Sequence, residues 1–173
     1  SFVLTCSFAQ KDITVESIWK DYTFYSKSVP GFNFMNDGSS YTLQEKNIIN
    51  AYDLTTGELK TEVLNASKHV NVDGFNGEIA SYEFNNDEGL ILISSESEPI
   101  FRHSSKSYFY LYNRKTATMM DIDRGNKISN TTLSPKGDKV AYIKDNNLFY
   151  LDINQNKTIQ VTKDGKNNSI ING

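Results

Sequence analysis

A short pattern of turn and strand recurs three times along the chain. Each copy begins at an apolar residue, passes through a turn rich in Asn, Asp, Ser and Gly, and continues into a strand. Glycine supplies a positive φ in such turns, and Asn, Asp and Pro favour their corners. The apolar residues that begin the copies are Phe34, Phe84 and Leu133, about fifty residues apart, a spacing typical of propeller blades. One small sheet cannot bury both of its faces, and radial stacking of several sheets solves that problem.

The third copy shows the unit most clearly. Residues 134–138 form a Ser-Pro-Lys-Gly-Asp turn, Lys139–Ile143 is a strand rich in Val, Ile and Tyr, and Leu148–Ile153 is a second strand after an Asp-Asn-Asn turn. The pattern predicts an all-β fold, a partial β-propeller of about three four-stranded antiparallel blades. Their predicted ranges are residues 31–64, 79–122 and 128–162, within an incomplete propeller domain at 31–173. A closed propeller typically has four to eight blades.

The first thirty residues differ from the repeats. Residues 1–10 end in Ser7-Phe8-Ala9 before Gln10, typical of the end of a signal peptide, so we expect a secreted or periplasmic protein. A short buried strand is the alternative, and a lipidated Cys6 is less favoured because Thr5 precedes it. Residues 11–30 are a lead-in segment. In it Thr14 or Asp12 would cap a helical turn that carries Ile18 and Trp19 inward.

Net charge and the absence of certain sequence motifs argue against several classes of function. The formal net charge is −3 and the Lys residues are scattered, which argues against a general nucleic-acid binder. The two His residues and single Cys cannot assemble a zinc cluster, and the chain has neither a Gly-x-Ser-x-Gly motif nor a phosphate-binding loop. No stretch after the first ten residues is long and apolar enough to span a membrane. We expect no metal, no cofactor and no catalytic residue in this chain.

The second copy breaks the regular spacing. It carries about ten extra residues between its middle strands, roughly 96–105, and this excursion includes Arg102 and His103. Insertions in repeat arrays often carry binding residues, although a tolerated surface loop is an equal alternative. Arg suits a carbonyl or carboxylate because its planar fork presents several donors, and His103 could be a base. Alternatively, Arg102 pairs with Glu96 or Glu98 and pins the loop.

Several segments together resemble the N-terminal propeller of the dipeptidyl peptidase IV family of serine peptidases. They occur in the family's order over nearly the whole chain, and the Arg-His-Ser and Asn-Gly segments are the more specific ones. The matching segments are Asp21-Tyr22-Thr23-Phe24, Phe101-Arg102-His103-Ser104, residues 133–142, residues 145–148 and Asn168-Ser169-Ile170-Ile171-Asn172-Gly173.

The resemblance implies an eight-bladed propeller that caps an α/β-hydrolase domain of the same protein. Family members release N-terminal dipeptides from peptides, preferring Pro or Ala at the second position. Carried over, Arg102 would hold the backbone carbonyl of the substrate's N-terminal residue, with His103 a weaker contributor. A homodimer is among the assemblies that the resemblance allows. A related prolyl tripeptidyl peptidase stays open, as does a non-catalytic secreted propeller that binds a protein or glycan.

Overall fold

The computed structural model describes residues 13–26 and 31–172, and the chain divides into two compact units, 1–30 and 31–173. The described part of the first unit contains one helix, α1 (Val15–Trp19). Thr14 caps it in a capping box with Ser17, as predicted. The prediction that Ile18 and Trp19 turn inward is wrong, because they are 42% and 73% exposed and Ser17 is the buried residue. Asp12 and the predicted signal segment at residues 1–10 lie outside the described residues.

The second unit contains three four-stranded antiparallel sheets, each with its strands in chain order. The all-β partial propeller predicted from the repeats is confirmed, and the predicted strands of the third copy agree with the structure within one or two residues. Blade 1 comprises β1 (Phe32–Phe34), β2 (Ser40–Glu45), β3 (Ile48–Asp53) and β4 (Leu59–Asn65). Blade 2 comprises β5 (Ser81–Phe84), β6 (Leu90–Phe101), β7 (Ser104–Asn113) and β8 (Thr118–Asp121). Blade 3 comprises β9 (Ser129–Leu133), β10 (Lys139–Lys144), β11 (Asn147–Asp152) and β12 (Lys157–Gln160).

The repeated turns form because polar side chains accept hydrogen bonds from backbone N–H groups within the turn. In blade 1 the Asp37 carboxylate accepts hydrogen bonds from the backbone N–H groups of Ser39 and Ser40, both at 2.8 Å. Gly38 in the same turn has a φ of +65°. Such a turn reverses the chain between the first two strands of a blade and sets their register.

Two apolar clusters join the blades. Between blades 1 and 2, Ile49 and Leu64 pack with Ile91, Ile93 and Tyr110. A second cluster joins blades 2 and 3, and its buried members are Leu92, Leu111, Ile122, Ile128, Val140, Tyr142 and Leu151. Neighbouring residues of a strand point to opposite faces. Leu92 and Ile93 in β6 therefore serve different clusters, and blade 2 is covered on both faces.

The meander order of the strands separates two faces of the array. Turns between first and second strands and between third and fourth strands lie on one face. The turns between middle strands share the opposite face, which we call the linker face, with the connections between blades. Those connections are residues 66–80 and 122–128; the first contains a 3₁₀ helix (Ala66–His69) and the buried Phe75. Asn47 shows the proximity directly, because its carbonyl accepts a 2.9 Å hydrogen bond from the Ala66 N–H.

Candidate functional site

The extra residues of the second copy form a hairpin on the linker face. The strands β6 and β7 are 12 and 10 residues long, whereas β2, β3, β10 and β11 have six residues each. The excursion is therefore mostly strand, and only Arg102 and His103 remain as the turn that joins β6 to β7. We call residues 96–106 the Arg102 hairpin.

The Arg102 hairpin is an irregular ladder. Regular pairing of the blade ends at Ser95 and Tyr108, and resumes at Glu98 and Lys106 after a register shift. A second shift follows Pro99, which has no N–H to donate. Polar residues and a proline within the excursion concealed its strand character, because strand recognition from sequence depends on apolar alternation.

The tip of the hairpin is exposed. It places the Arg102 guanidinium between the apolar Phe101 and the polar His103. Phe101 is 79% exposed and Ile100 is 45% exposed. Among the residues that the structure describes, Arg102 forms no ion pair or side-chain hydrogen bond. The alternative in which Glu96 or Glu98 pins it is wrong.

Those two carboxylates have other partners. The Glu96 carboxylate accepts a 3.1 Å hydrogen bond from the Asn76 amide. Glu98 pairs with Lys106 at 3.6 Å and with Lys127 at 3.4 Å. The base of the hairpin is therefore held by residues other than Arg102.

A cavity of about 330 Å³ lies under the residues that follow Arg102. Its wall includes His103, Ser104 and Ser105 from the hairpin, and residues of β5 and β9, the first strands of blades 2 and 3. The β5 and β9 residues that line it are Ser81, Tyr82, Glu83, Asn130 and Thr131. Leu92, Ser94 and Phe109 of the middle strands complete the wall, so the cavity lies between blades 2 and 3 beside the hairpin. His103 contributes to the cavity itself.

The sequence did not reveal the residues that hold the hairpin. Asn76 and Lys127 belong to the two connections between blades, 20 residues before Glu96 and 29 residues after Glu98. Asn76-Gly77 is an ordinary turn dipeptide, and Lys127 is one of many scattered lysines. Only the stacking of the blades brings them to β6 and β7, so local pattern carries no signal for them.

The other histidine is part of the packing. The His69 ring lies edge-on to Tyr112, with ring centroids 5.1 Å apart, and burial, followed by the nearby charge of Lys68, lowers its pKa. Within residues 13–26 and 31–172, no three His, Cys, Asp or Glu side chains are grouped as metal ligands. None of the helices in this described part is long and apolar enough to cross a membrane.

Comparison with known proteins identifies the family. The family model described as "Dipeptidyl peptidase IV (DPP IV) N-terminal region" matches residues 85–173, which include the Arg102 hairpin and all of blade 3. The chain belongs to this family. The resemblance seen in the sequence is thereby confirmed.

Solved and curated relatives agree. The crystal structure of Porphyromonas gingivalis dipeptidyl peptidase 4 superimposes with a TM-score of 0.79 at 27% identity, covering 95% of this chain and 24% of that one. A probable dipeptidyl-aminopeptidase B of Emericella nidulans is 29% identical over 60% of this chain and 12% of its own length. The human prolyl endopeptidase FAP is 25% identical over 87% of this chain and 18% of its own length. The chain thus spans less than a quarter of each of these relatives.

Proposed function

We propose that this chain is the substrate-recognition part of a serine exopeptidase that releases N-terminal dipeptides with Pro or Ala second. Arg102 binds the backbone carbonyl of the substrate's first residue, and His103 contributes to the same wall. The catalytic Ser, Asp and His belong to an α/β-hydrolase domain of the same protein. The family membership and the dipeptidyl peptidase names of relatives support this proposal.

The observation that carries it is the position of Arg102. An exposed guanidinium stands at the tip of the one extended hairpin and makes no side-chain bond within the described residues. The next residue, His103, lines a polar cavity between blades 2 and 3. An exopeptidase must position the scissile bond relative to the substrate's N-terminus, and a fork of donors on the first carbonyl fixes that register.

The hairpin geometry suits this role. Its tip is not anchored by its own acidic residues, since Glu98 is occupied by Lys106 and Lys127. Exposed Phe101 adds an apolar surface beside the cation, suitable for contact with a substrate side chain or with a neighbouring domain. We also propose a secreted or periplasmic location and, as a further assembly, a homodimer.

The experiment is to replace Arg102 in the whole protein that contains this chain. Arg102→Ala should lower kcat/KM for a dipeptidyl-Pro chromogenic amide by about 100-fold, because the substrate loses its register. Arg102→Lys should recover only part of the activity, since an ammonium lacks the planar fork. Arg124→Ala, which removes an exposed Arg from the connection between blades 2 and 3, is the matched control.

A second measurement separates recognition from chemistry. A fluorophosphonate, which phosphonylates the nucleophilic serine with loss of fluoride, needs no N-terminal recognition, so Arg102→Ala should react with it at the rate of the unmodified protein. Near-normal dipeptide release by Arg102→Ala would contradict the proposal. Loss of both dipeptide release and fluorophosphonate reaction would show that the variant is misfolded or that Arg102 acts elsewhere, and would also count against it.

A further inference from the structure

We propose that Asn76 is a positioning residue that holds the Arg102 hairpin in the orientation required for substrate binding. The inference rests on the proposed function of Arg102. Asn76 lies in the connection between blades 1 and 2 and touches β6 where the blade ends and the hairpin begins. No motif of the sequence marks it.

The Asn76 side chain uses both its carbonyl and its amide. The carbonyl oxygen accepts hydrogen bonds from the Ser95 hydroxyl at 3.1 Å and from the Glu78 backbone N–H at 2.9 Å. The amide donates to Glu96 Oε1 at 3.1 Å and to Glu78 Oε2 at 3.4 Å. Ser95 is only 1% exposed, so one end of this network is fixed in the blade.

The hydrogen bonds of Asn76 contact β6 at Ser95 and Glu96, where the hairpin changes direction. Glu96 has a φ of +49°, in the left-handed region that residues other than Gly adopt uncommonly. The register of β6 against β7 shifts between Ser95 and Glu98, which is the signature of a bulge. A bulge bends its strand and re-aims the residues beyond it, so bonds to Ser95 and Glu96 set the direction of the hairpin.

The opposite strand is held independently. Ser107 in β7 exchanges two backbone hydrogen bonds with Ile128, at 3.0 and 2.9 Å, and Ile128 is 1% exposed. Lys127 Nζ lies 5.2 Å from the centre of the Tyr108 ring in β7, and it also contacts the Glu98 carboxylate of β6 at 3.4 Å. With β7 held from blade 3, loss of the Asn76 contact tilts the hairpin without unfolding the blade.

The required precision explains why a tilt matters. A hydrogen bond from a guanidinium to a carbonyl weakens steeply outside about 2.7–3.2 Å. Arg102 lies six residues from Glu96, so a small rotation at the bulge becomes a larger displacement at the tip. A misplacement of about 1 Å distant from the reacting atoms can cost 100-fold in rate.

The test exchanges the donor and the acceptor of the hydrogen bond between Asn76 and Glu96. The variants are made in the whole protein that contains this chain. Asn76→Asp keeps the acceptor for the Ser95 hydroxyl and the Glu78 N–H but places a carboxylate against those of Glu96 and, at the longer distance, Glu78. The double variant N76D/E96Q restores a donor and an acceptor, in exchanged positions, at the Glu96 contact. We expect Asn76→Asp to lower kcat/KM for the dipeptidyl amide about tenfold, mainly through KM. We expect the double variant to recover most of that loss. Asn156→Asp, in the exposed turn between β11 and β12, is the control for an added charge.

Two further readouts distinguish positioning from general damage. Amide hydrogen exchange of residues 96–106 should accelerate in Asn76→Asp and return in the double variant, while the fluorophosphonate rate stays constant throughout. Unchanged activity in Asn76→Asp, or a loss that N76D/E96Q does not recover, would overturn the proposal. If Arg102→Ala is impaired and Asn76→Asp is not, only the role of Asn76 fails; if Arg102→Ala is fully active, the proposed function fails as well.

Discussion

The Tyr142 hydroxyl donates a 2.7 Å hydrogen bond to the Asp123 carboxylate and so ties blade 3 to the connection from blade 2. The other oxygen of Asp123 accepts from Lys144 Nζ, also at 2.7 Å. Tyr142 is fully buried, and the carboxylate of Asp123 is 10% exposed. A buried tyrosine at a blade interface is thus satisfied by a charged acceptor that is itself neutralised by a lysine.

Removal of this hydroxyl should destabilise the fold. Tyr142→Phe keeps the ring and its stacking on Phe149, but leaves one oxygen of Asp123 short of a donor. A hydrogen bond to a charged group is worth about 1.5–3 kcal/mol, and we expect a loss of that size in the free energy of unfolding in urea. Tyr150→Phe, on the neighbouring strand, is the control and should change little. A Tyr142→Phe protein as stable as the unmodified one would contradict the interpretation.

Tyr110 presents the opposite case at the other interface. It is also fully buried, between blades 1 and 2, and its ring lies 4.6 Å from that of Phe75. Its hydroxyl has no hydrogen-bond partner among the described residues, and burial raises its pKa to about 12. A buried hydroxyl without a partner costs free energy, whereas an apolar replacement of the same shape is neutral or stabilising.

Replacement of Tyr110 by Phe should therefore change the free energy of unfolding in the direction opposite to Tyr142→Phe. We expect Tyr110→Phe to raise the free energy of unfolding by up to about 1 kcal/mol, measured beside Tyr142→Phe under identical conditions. A clear destabilisation by Tyr110→Phe would contradict the interpretation that the hydroxyl is without a partner.

The repeat pattern was sufficient to predict the blades, and the reason is local. Turns such as 134–138 are specified by their own residues, so the strands between them could be bounded without knowledge of any neighbour. Contacts between blades are different. The Tyr142 bond to Asp123 spans 19 residues and the Asn76 bond to Glu96 spans 20, and neither pair has a signature in sequence.

The candidate site was predicted in part. The anomalous spacing of the second copy located the excursion that carries Arg102, because an insertion disturbs a regular period, and the role of Arg102 stays a prediction. Its strand character was not predicted, since the pairing of Glu98 with Lys106 and of Pro99 with Ser105 lacks the apolar alternation of a recognisable strand. Trp19 was placed inward on its apolar character alone, although a five-residue helix offers too short a face for such an inference.

The acidic turns predict a pH dependence. Hydrogen bonds from Lys139, then Ser134, lower the pKa of Asp138 to about 2. Hydrogen bonds also lower the pKa of Asp37, chiefly from the Ser40 hydroxyl, and that of Asp87, chiefly from the Gly89 N–H. A depressed folded-state pKa contributes stability that is present above the unfolded value, near pH 4, and is lost as pH falls toward the folded value.

The melting temperature should consequently fall between about pH 4 and pH 2. Asp138→Asn should make that fall shallower, because one of the titrating groups is removed. A direct check is the NMR titration of the Asp138 carboxyl carbon, and a midpoint near pH ~4, the ordinary value for Asp, would contradict the assignment.

The turns of neighbouring blades also interlock, and two glycines allow this contact to be measured. Gly137 in blade 3 and Gly57 in blade 1 have nearly the same φ, +68° and +71°. A Cβ added to Gly57 would meet nothing within 4 Å, whereas one added to Gly137 would lie 2.6 Å from Asn85 Nδ2. Asn85 is 8% exposed, and its Oδ1 accepts a 2.8 Å hydrogen bond from the Leu90 N–H, so it cannot turn away freely.

Alanine at the two positions should therefore have unequal effects. Gly57→Ala should cost only the strain of the left-handed backbone, about 1–2 kcal/mol. Gly137→Ala should carry the same strain and in addition about 1–3 kcal/mol for the clash with a packed side chain. The comparison of the two free energies of unfolding in urea isolates the contact between blades 2 and 3, because the backbone contribution cancels. Equal losses would mean that Asn85 moves aside and that the turns are not tightly packed.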